Sequence, residues 1–248
     1  MYGICQLSIV PIRKLPSDSS EQISQLIFGE QVMIEEKNDN WYAVKSLHDN
    51  YRGWVDKKQL HIYINIEKAE YTVNCAFIRV KDNYLPIGSY LRKSDLVDQN
   101  INQWLQSNSI IPLEKSDDTL QLINNSKKFL NAPYLWGGRT PFGIDCSGLT
   151  QMVYRLNGIS INRDAYQQAE MGIEVKSFEL LKTGDLAFFN KGIGDKITHV
   201  GIVIKDDEKL QIIHASGWVQ INQLNEDGIV DSNGNLSHHY LFSKRIID

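Results

Sequence analysis

The chain has 248 residues, of which 42% are hydrophobic and 23% charged, with 26 Lys plus Arg against 30 Asp plus Glu for a net charge of −4. That composition supports packed cores in one large domain or two to three small ones. The weak acidic balance leaves no electrostatic footprint for nucleic acid or an anionic membrane, and no run approaches the roughly 20 apolar residues that a bilayer crossing needs.

The N-terminal MYGICQLSIVPIRKLPS has neither a basic n-region nor a small-residue cleavage site behind an apolar stretch, so the chain is expected to act in the cytoplasm. The three cysteines, Cys5, Cys75 and Cys146, are too few and too scattered for a disulfide framework. None belongs to a CxxC pair, so no metal site is expected. Cys5 and Cys75 lie in apolar alternating stretches and read as small core residues.

Residues 1–62 read as short strands with polar turns. Ile4, Leu7, Ile9 and Val10 open the series, LPSDSS makes a turn, and Val32 and Ile34 alternate as a half-buried strand does. Trp41-Tyr42-Ala43-Val44 and Trp54-Val55 follow further turns, and this spacing suggests a small barrel. The segments FGEQVMIEEKNDNWYAVK, YRGWV and QLHIY resemble a bacterial SH3 (SH3b) domain. In residues 63–117, YTVNCAFIRV and YLPIGSYL read as strands around a turn. That stretch is either a degenerate second SH3-like module or a structured linker.

From residue 118 the pattern changes. Asp118 can cap a helix carrying Leu120, Ile123, Lys127 and Leu130, which Asn131-Ala132-Pro133 ends. After a glycine-rich loop, Leu149, Met152, Val153 and Leu156 recur at helical spacing, with Gly158 as the stop. DLAFFN, HVGIVIK, LQIIHAS and LFSKRII read as strands, so residues 118–248 are expected to be an α+β domain.

The chemistry gathers there. Cys146 directly follows the N-cap candidate Asp145, where free N–H groups and the helix dipole are expected to lower a thiol pKa. His199 opens one predicted strand and can take the thiol proton; His214 ends the next and can orient the His199 ring. Arg139 is expected to be solvated, outside the site. His48, His61, His238 and His239 are expected at the surface or in loops.

The blocks YLWGGRTPFGIDCSGLTQMVYRLNGI, GDLAFFN, ITHVGIVI and IIHAS resemble the NlpC/P60 family along most of residues 118–248, implying a papain-like catalytic domain behind the SH3b barrel. The resemblance implies a cysteine peptidase that needs no cofactor, with Cys146 as nucleophile, His199 as base, His214 as orienting residue and the Tyr134 hydroxyl at the oxyanion. It further implies that Asp145 and Ser147 contact a γ-D-glutamyl group, that Trp136 walls the cleft, and that Glu21 accepts from a free substrate amine with help from the Tyr51 hydroxyl. One family serine contact falls on Ala165 here. The implied substrate is a free murein peptide cut between γ-D-glutamate and a diamino acid, with no nucleic-acid or membrane partner. A wall-peptide binding module with an inactive catalytic half and a thiol acyltransferase are the competing readings. The intact Cys, His, His set and its order in the chain favour the peptidase.

Overall fold

The computed structural model describes residues 1–80, 82–96, 101–192, 194–206 and 209–247. It divides into two compact units: Met1–Glu114 with Trp136–Pro141, and Lys115–Leu135 with Phe142–Asp248. The expected class holds, with an all-β SH3-like barrel in the first unit and an α+β domain in the second. No helix among the described residues is long and apolar enough to cross a membrane.

In the first unit, seven antiparallel strands run in the order Gln22–Ile27, Ile9–Arg13, Arg52–Asp56, Trp41–Ser46, Gln31–Lys37, Tyr2–Ile4, His61–Tyr63. Alternation places Val10, Ile12, Val32, Ile34 and Val44 in one apolar core, with Cys5 fully buried among them. Beyond it, Tyr71–Val73, Tyr90–Leu91 and Ile110–Pro112 form a three-stranded sheet, and Phe77–Val80 pairs with Asn83–Pro86. These pack around Val73, Leu85, Leu91 and Ile110, to which the barrel contributes Phe28. Cys75, expected in a core, is only half-buried, because the strand reading of YTVNCAFIRV breaks at residues 74–76.

The segment Trp136–Pro141 completes this unit. Gly137 has φ +74°, and a Cβ there would stand 2.7 Å from the Gln22 carbonyl oxygen, so only glycine fits the close approach. Arg139 overturns its reading as a solvated side chain: it is 1% exposed. Its guanidinium donates to both Glu30 carboxylate oxygens at 2.9 and 3.0 Å and to the Gln25 carbonyl at 2.6 Å. His48 is likewise no surface residue, since its ring meets Arg139 at 3.1 Å, Ser46 at 2.7 Å and Asp49 at 3.1 Å. A buried guanidinium requires such paired acceptors, and sequence offers no sign of them because they lie about 90 to 115 positions away.

The second unit centres on the helix Cys146–Leu156, every residue of which is buried. The helix Thr119–Lys127 packs on it, capped by Asp118, whose carboxylate accepts from the Leu120 and Gln121 N–H groups. It ends three residues before the expected stop, and Asn131 takes the left-handed φ of 66°. The strands Leu236–Arg245, Leu186–Asn190, His199–Asp206, Lys209–Ser216, Trp218–Asn225 and Gly228–Val230 are neighbours in that order, and the last pairs back with the first. The sheet is therefore closed, which leaves those six strands without a free edge. Trp218–Asn225 and Gly228–Val230 were not foreseen: Gln220, Asn222 and Gln223 break the apolar alternation of the first, and the second has only three residues.

Candidate active site

Cys146 begins its helix as expected, and Asp145 is the N-cap, its carboxylate accepting from the Gly148 N–H at 2.7 Å. The cap carries a second load that sequence reasoning missed. Arg163, 1% exposed, donates to both Asp145 oxygens at 2.9 and 2.6 Å and to Ser147 Oγ at 2.9 Å. Two parallel N–H···O bonds fix the carboxylate geometrically as well as electrostatically. Gln168 supports the same turn, donating to the Ser147 carbonyl at 3.0 Å and accepting from Thr150 Oγ1 at 2.7 Å. In the sequence Arg163 stands two residues before Ala165, with nothing local to mark its distant acceptors.

Tyr134 is held beside this turn from two sides. Its N–H donates to the Gly217 carbonyl at 2.8 Å, and it bridges Ile144, the residue before the cap. Half-burial raises its phenol pKa, and the neighbouring Cys146 and Asp145 raise it further. The hydroxyl thus stays protonated and able to donate.

His199 and His214 come together as expected. They lie on adjacent antiparallel strands, 5% and 1% exposed, with His199 Nε2 and His214 Nδ1 2.8 Å apart. The register of the two strands, Ile202 opposite Ile213, lets His199 reach His214 on the diagonal within one face of the sheet. His214 Nε2 in turn meets Asn222 Oδ1 at 2.8 Å, on the third strand. Cys146 joins this group through the backbone N–H of Val200, the residue after His199, which hydrogen-bonds its sulfur.

The electrostatics correct one expectation. Burial pushes the Cys146 thiol up to about 12, and the Asp145 charge adds to this; hydrogen bonds from Val200 and Ser147 and the Arg163 charge pull the other way. Desolvation outweighs the helix terminus, so Cys146 carries its proton until attack. Burial also takes His199 well below the usual histidine range, aided by His214, His238 and Lys191. His214 is lowered by burial as well, against the raising effect of its bond to Asn222. Both imidazoles are therefore neutral at pH 7, the state a base needs.

His238 was expected at the surface. The strand Leu236–Arg245 instead turns it inward, stacked on His199 with ring centroids 4.2 Å apart and planes at 27°, and burial lowers its pKa to about 4. His239 points outward and is exposed. The nitrogens of His199, His214 and His238 all lie within 4.8 Å of one another, a spacing that a metal ion could use. Stacked rings, however, direct their in-plane lone pairs along nearly parallel lines, and the His199 and His214 nitrogens face each other. This geometry suits a proton relay better than a cation.

The remaining sequence candidates lie in the first unit. Trp136 is 59% exposed, and its indole N–H donates to Glu21 Oε1 at 2.9 Å. The other Glu21 oxygen takes Lys14 Nζ at 3.2 Å. Tyr51 is half-buried at the end of the turn that follows Trp41–Ser46.

A buried thiol at a helix N-terminus, a neutral imidazole relay and a phenol donor define a papain-like cysteine peptidase. Comparison with known proteins gives the family. Residues 131–233 match the NlpC/P60 family, and residues 12–60 match the bacterial dipeptidyl-peptidase SH3 domain. The chain therefore carries an NlpC/P60 peptidase domain behind a bacterial SH3 domain. It is 29% identical over 251 residues to a γ-D-glutamyl-L-lysine dipeptidyl-peptidase of Bacillus cereus, covering 84% of this chain and 72% of the relative. Its identity to the enzyme of the same name from Bacillus subtilis is 28% over 230 residues, covering 82% and 76%. A crystal structure of an NlpC/P60 family protein from Bacillus cereus shares the fold, with a TM-score of 0.79 at 21% identity over 100% of both chains.

Proposed function

We propose that this peptidase hydrolyses the bond between γ-D-glutamate and a diamino acid in free murein peptides with an unblocked N-terminal L-Ala, releasing L-Ala-γ-D-Glu. The observation that carries the reading is the His199–His214 pair, buried and neutral beside the Cys146 sulfur. The relatives' shared dipeptidyl-peptidase name supports the substrate class.

Attack forms the bond from Cys146 Sγ to the γ-carbonyl carbon while His199 takes the thiol proton. The carbonyl oxygen becomes an oxyanion, to which the Tyr134 hydroxyl donates; one such donor is worth about 2.7–4 kcal/mol. The C–N bond then breaks as His199 returns the proton to the leaving amine. Water, deprotonated by the same imidazole, frees the dipeptide from the thioester.

Linkage through the γ-carboxyl leaves the α-carboxylate of the glutamyl residue free. Ser147 and the Arg163 guanidinium behind it supply donor and positive charge for that group, with Asp145 holding the arginine in place. A free L-Ala amine is an ammonium, and Glu21 with the Tyr51 hydroxyl supplies acceptors for it, Trp136 bonding the same carboxylate. In intact wall this nitrogen is an amide, which carries no charge to pair with Glu21. Selection for free peptides fits a cytoplasmic recycling role. Lysine and diaminopimelate both present the amine that the cut requires.

The test is paired digestion of L-Ala-γ-D-Glu-diamino acid and its N-acetyl derivative, read by mass analysis. The free peptide is expected to yield L-Ala-γ-D-Glu, and the acetylated one to be cut more slowly, since acetylation removes the ammonium that Glu21 would pair. Equal cleavage of both would remove the amine gate and the recycling role.

A further inference from the structure

We propose that Asn222 is a positioning residue that decides which nitrogen of His199 is the base, an inference that rests on the peptidase reading above. The relay runs diagonally across three neighbouring strands, from His199 through His214 to Asn222. Asn222 stands opposite Ile212, two residues from His214 on the same face, within diagonal cross-strand reach. It is 9% exposed, a buried polar side chain on the same face of its strand as the buried Leu224.

An amide oxygen can only accept, so His214 Nε2 must carry the proton shared with Asn222 Oδ1. A neutral imidazole has one N–H, which leaves His214 Nδ1 a bare acceptor. The proton between the two rings must then sit on His199 Nε2. His199 Nδ1 is left as a lone pair, the form that can take a thiol proton. Rotating the Asn222 amide would present Nδ2 instead, and every proton would move one place along the relay. His199 Nδ1 would then carry hydrogen and could not serve as the base. Burial keeps both rings neutral, so the setting at one end of the relay reaches the other.

Asn222 does not titrate, so this setting is independent of pH. The titratable and charged groups acting on His199 are His214 from the next strand, His238 from Leu236–Arg245, and Lys191, while Cys146 is bonded by the N–H of the following residue, Val200. Those facing His214 are His199 and His238.

The experiment compares Asn222→Leu and Asn222→Asp with the parent enzyme, and reads the ring nitrogens of the parent by 15N NMR. Asn222→Leu removes the acceptor at similar volume and is expected to lower kcat about 100-fold, with KM close to the parent value. Asn222→Asp accepts the same N–H and cannot present a donor once ionised, so kcat returns to within about tenfold of the parent. Its carboxylate favours the imidazolium, which moves the acid limb of the kcat profile to higher pH. In the parent at pH 7–8, both His199 and His214 are expected to be protonated at Nε2. An unchanged kcat in folded Asn222→Leu would overturn the inference. So would an Asn222→Asp variant as slow as Asn222→Leu with the parent acid limb. Protonation of His199 at Nδ1 in the parent overturns it without any assay of activity. That spectrum decides the inference even if Asn222→Leu packs badly or the peptide proves not to be the substrate.

Discussion

The two units bury polar groups in opposite ways. In the first, Arg139, Glu30 and Asp49 are buried together around His48. Burial pushes the Asp49 carboxyl up, yet the His48 charge and hydrogen bond, with Arg139, take it well below the usual range. In the second, His199 and His214 are buried against each other, the His238 ring and a neutral amide. A charge that meets its opposite in a dry place is fixed there, and it holds a segment of chain. An imidazole that meets only neutral partners stays uncharged and free to accept a proton. The Arg163–Asp145 pair belongs to the first kind, although it stands beside the nucleophile: it holds the helix cap rather than moving protons.

The comparison breaks first at the relay. His199→Ala removes the group that handles the proton, and kcat is expected to fall about 10²–10⁴-fold. His214→Gln keeps a side chain able to orient His199, so it is expected to cost about tenfold less than His199→Ala, with both rates measured on the free tripeptide. Equal and complete loss in both variants would leave the two rings without distinct roles.

The charged network gives the smaller effect, and in stability rather than rate. Arg139→Met strands Glu30 in a site where Arg139 is 1% and the Glu30 side chain 0% exposed, and is expected to lower unfolding free energy by about 3–5 kcal/mol in urea. Adding Glu30→Gln removes the stranded charge and should recover part of that loss. A wild-type midpoint for Arg139→Met would mean that the network fixes nothing.

Much of the site was legible because its signals are local. Asp145-Cys146-Ser147-Gly148 holds cap, nucleophile and first turn within four residues, and HVGI and IIHAS each put one histidine on a recognisable strand. What escaped was set by distant partners. Arg139 reads as a surface arginine until Glu30 and His48 close around it, and Arg163 until Asp145 does. Trp218–Asn225, which carries Asn222, was not read as a strand because its polar residues break the apolar alternation. The pKa of Cys146 escaped for a related reason: a helix N-terminus is visible in sequence, whereas the depth at which the thiol is buried depends on the whole fold.

The most direct measurement is alkylation of Cys146 by iodoacetamide, followed residue by residue against hydrolysis of the tripeptide. Because burial holds the thiol up to about 12, the thiolate fraction should still be rising above pH 9, and the labelling rate with it. A rate that levels off below pH 8 would mean that the thiolate is already formed before attack. At any pH, the fraction of hydrolysis lost should equal the fraction of Cys146 modified, whatever the state of Cys5 and Cys75. Hydrolysis that persists with Cys146 fully alkylated would contradict the account at its centre.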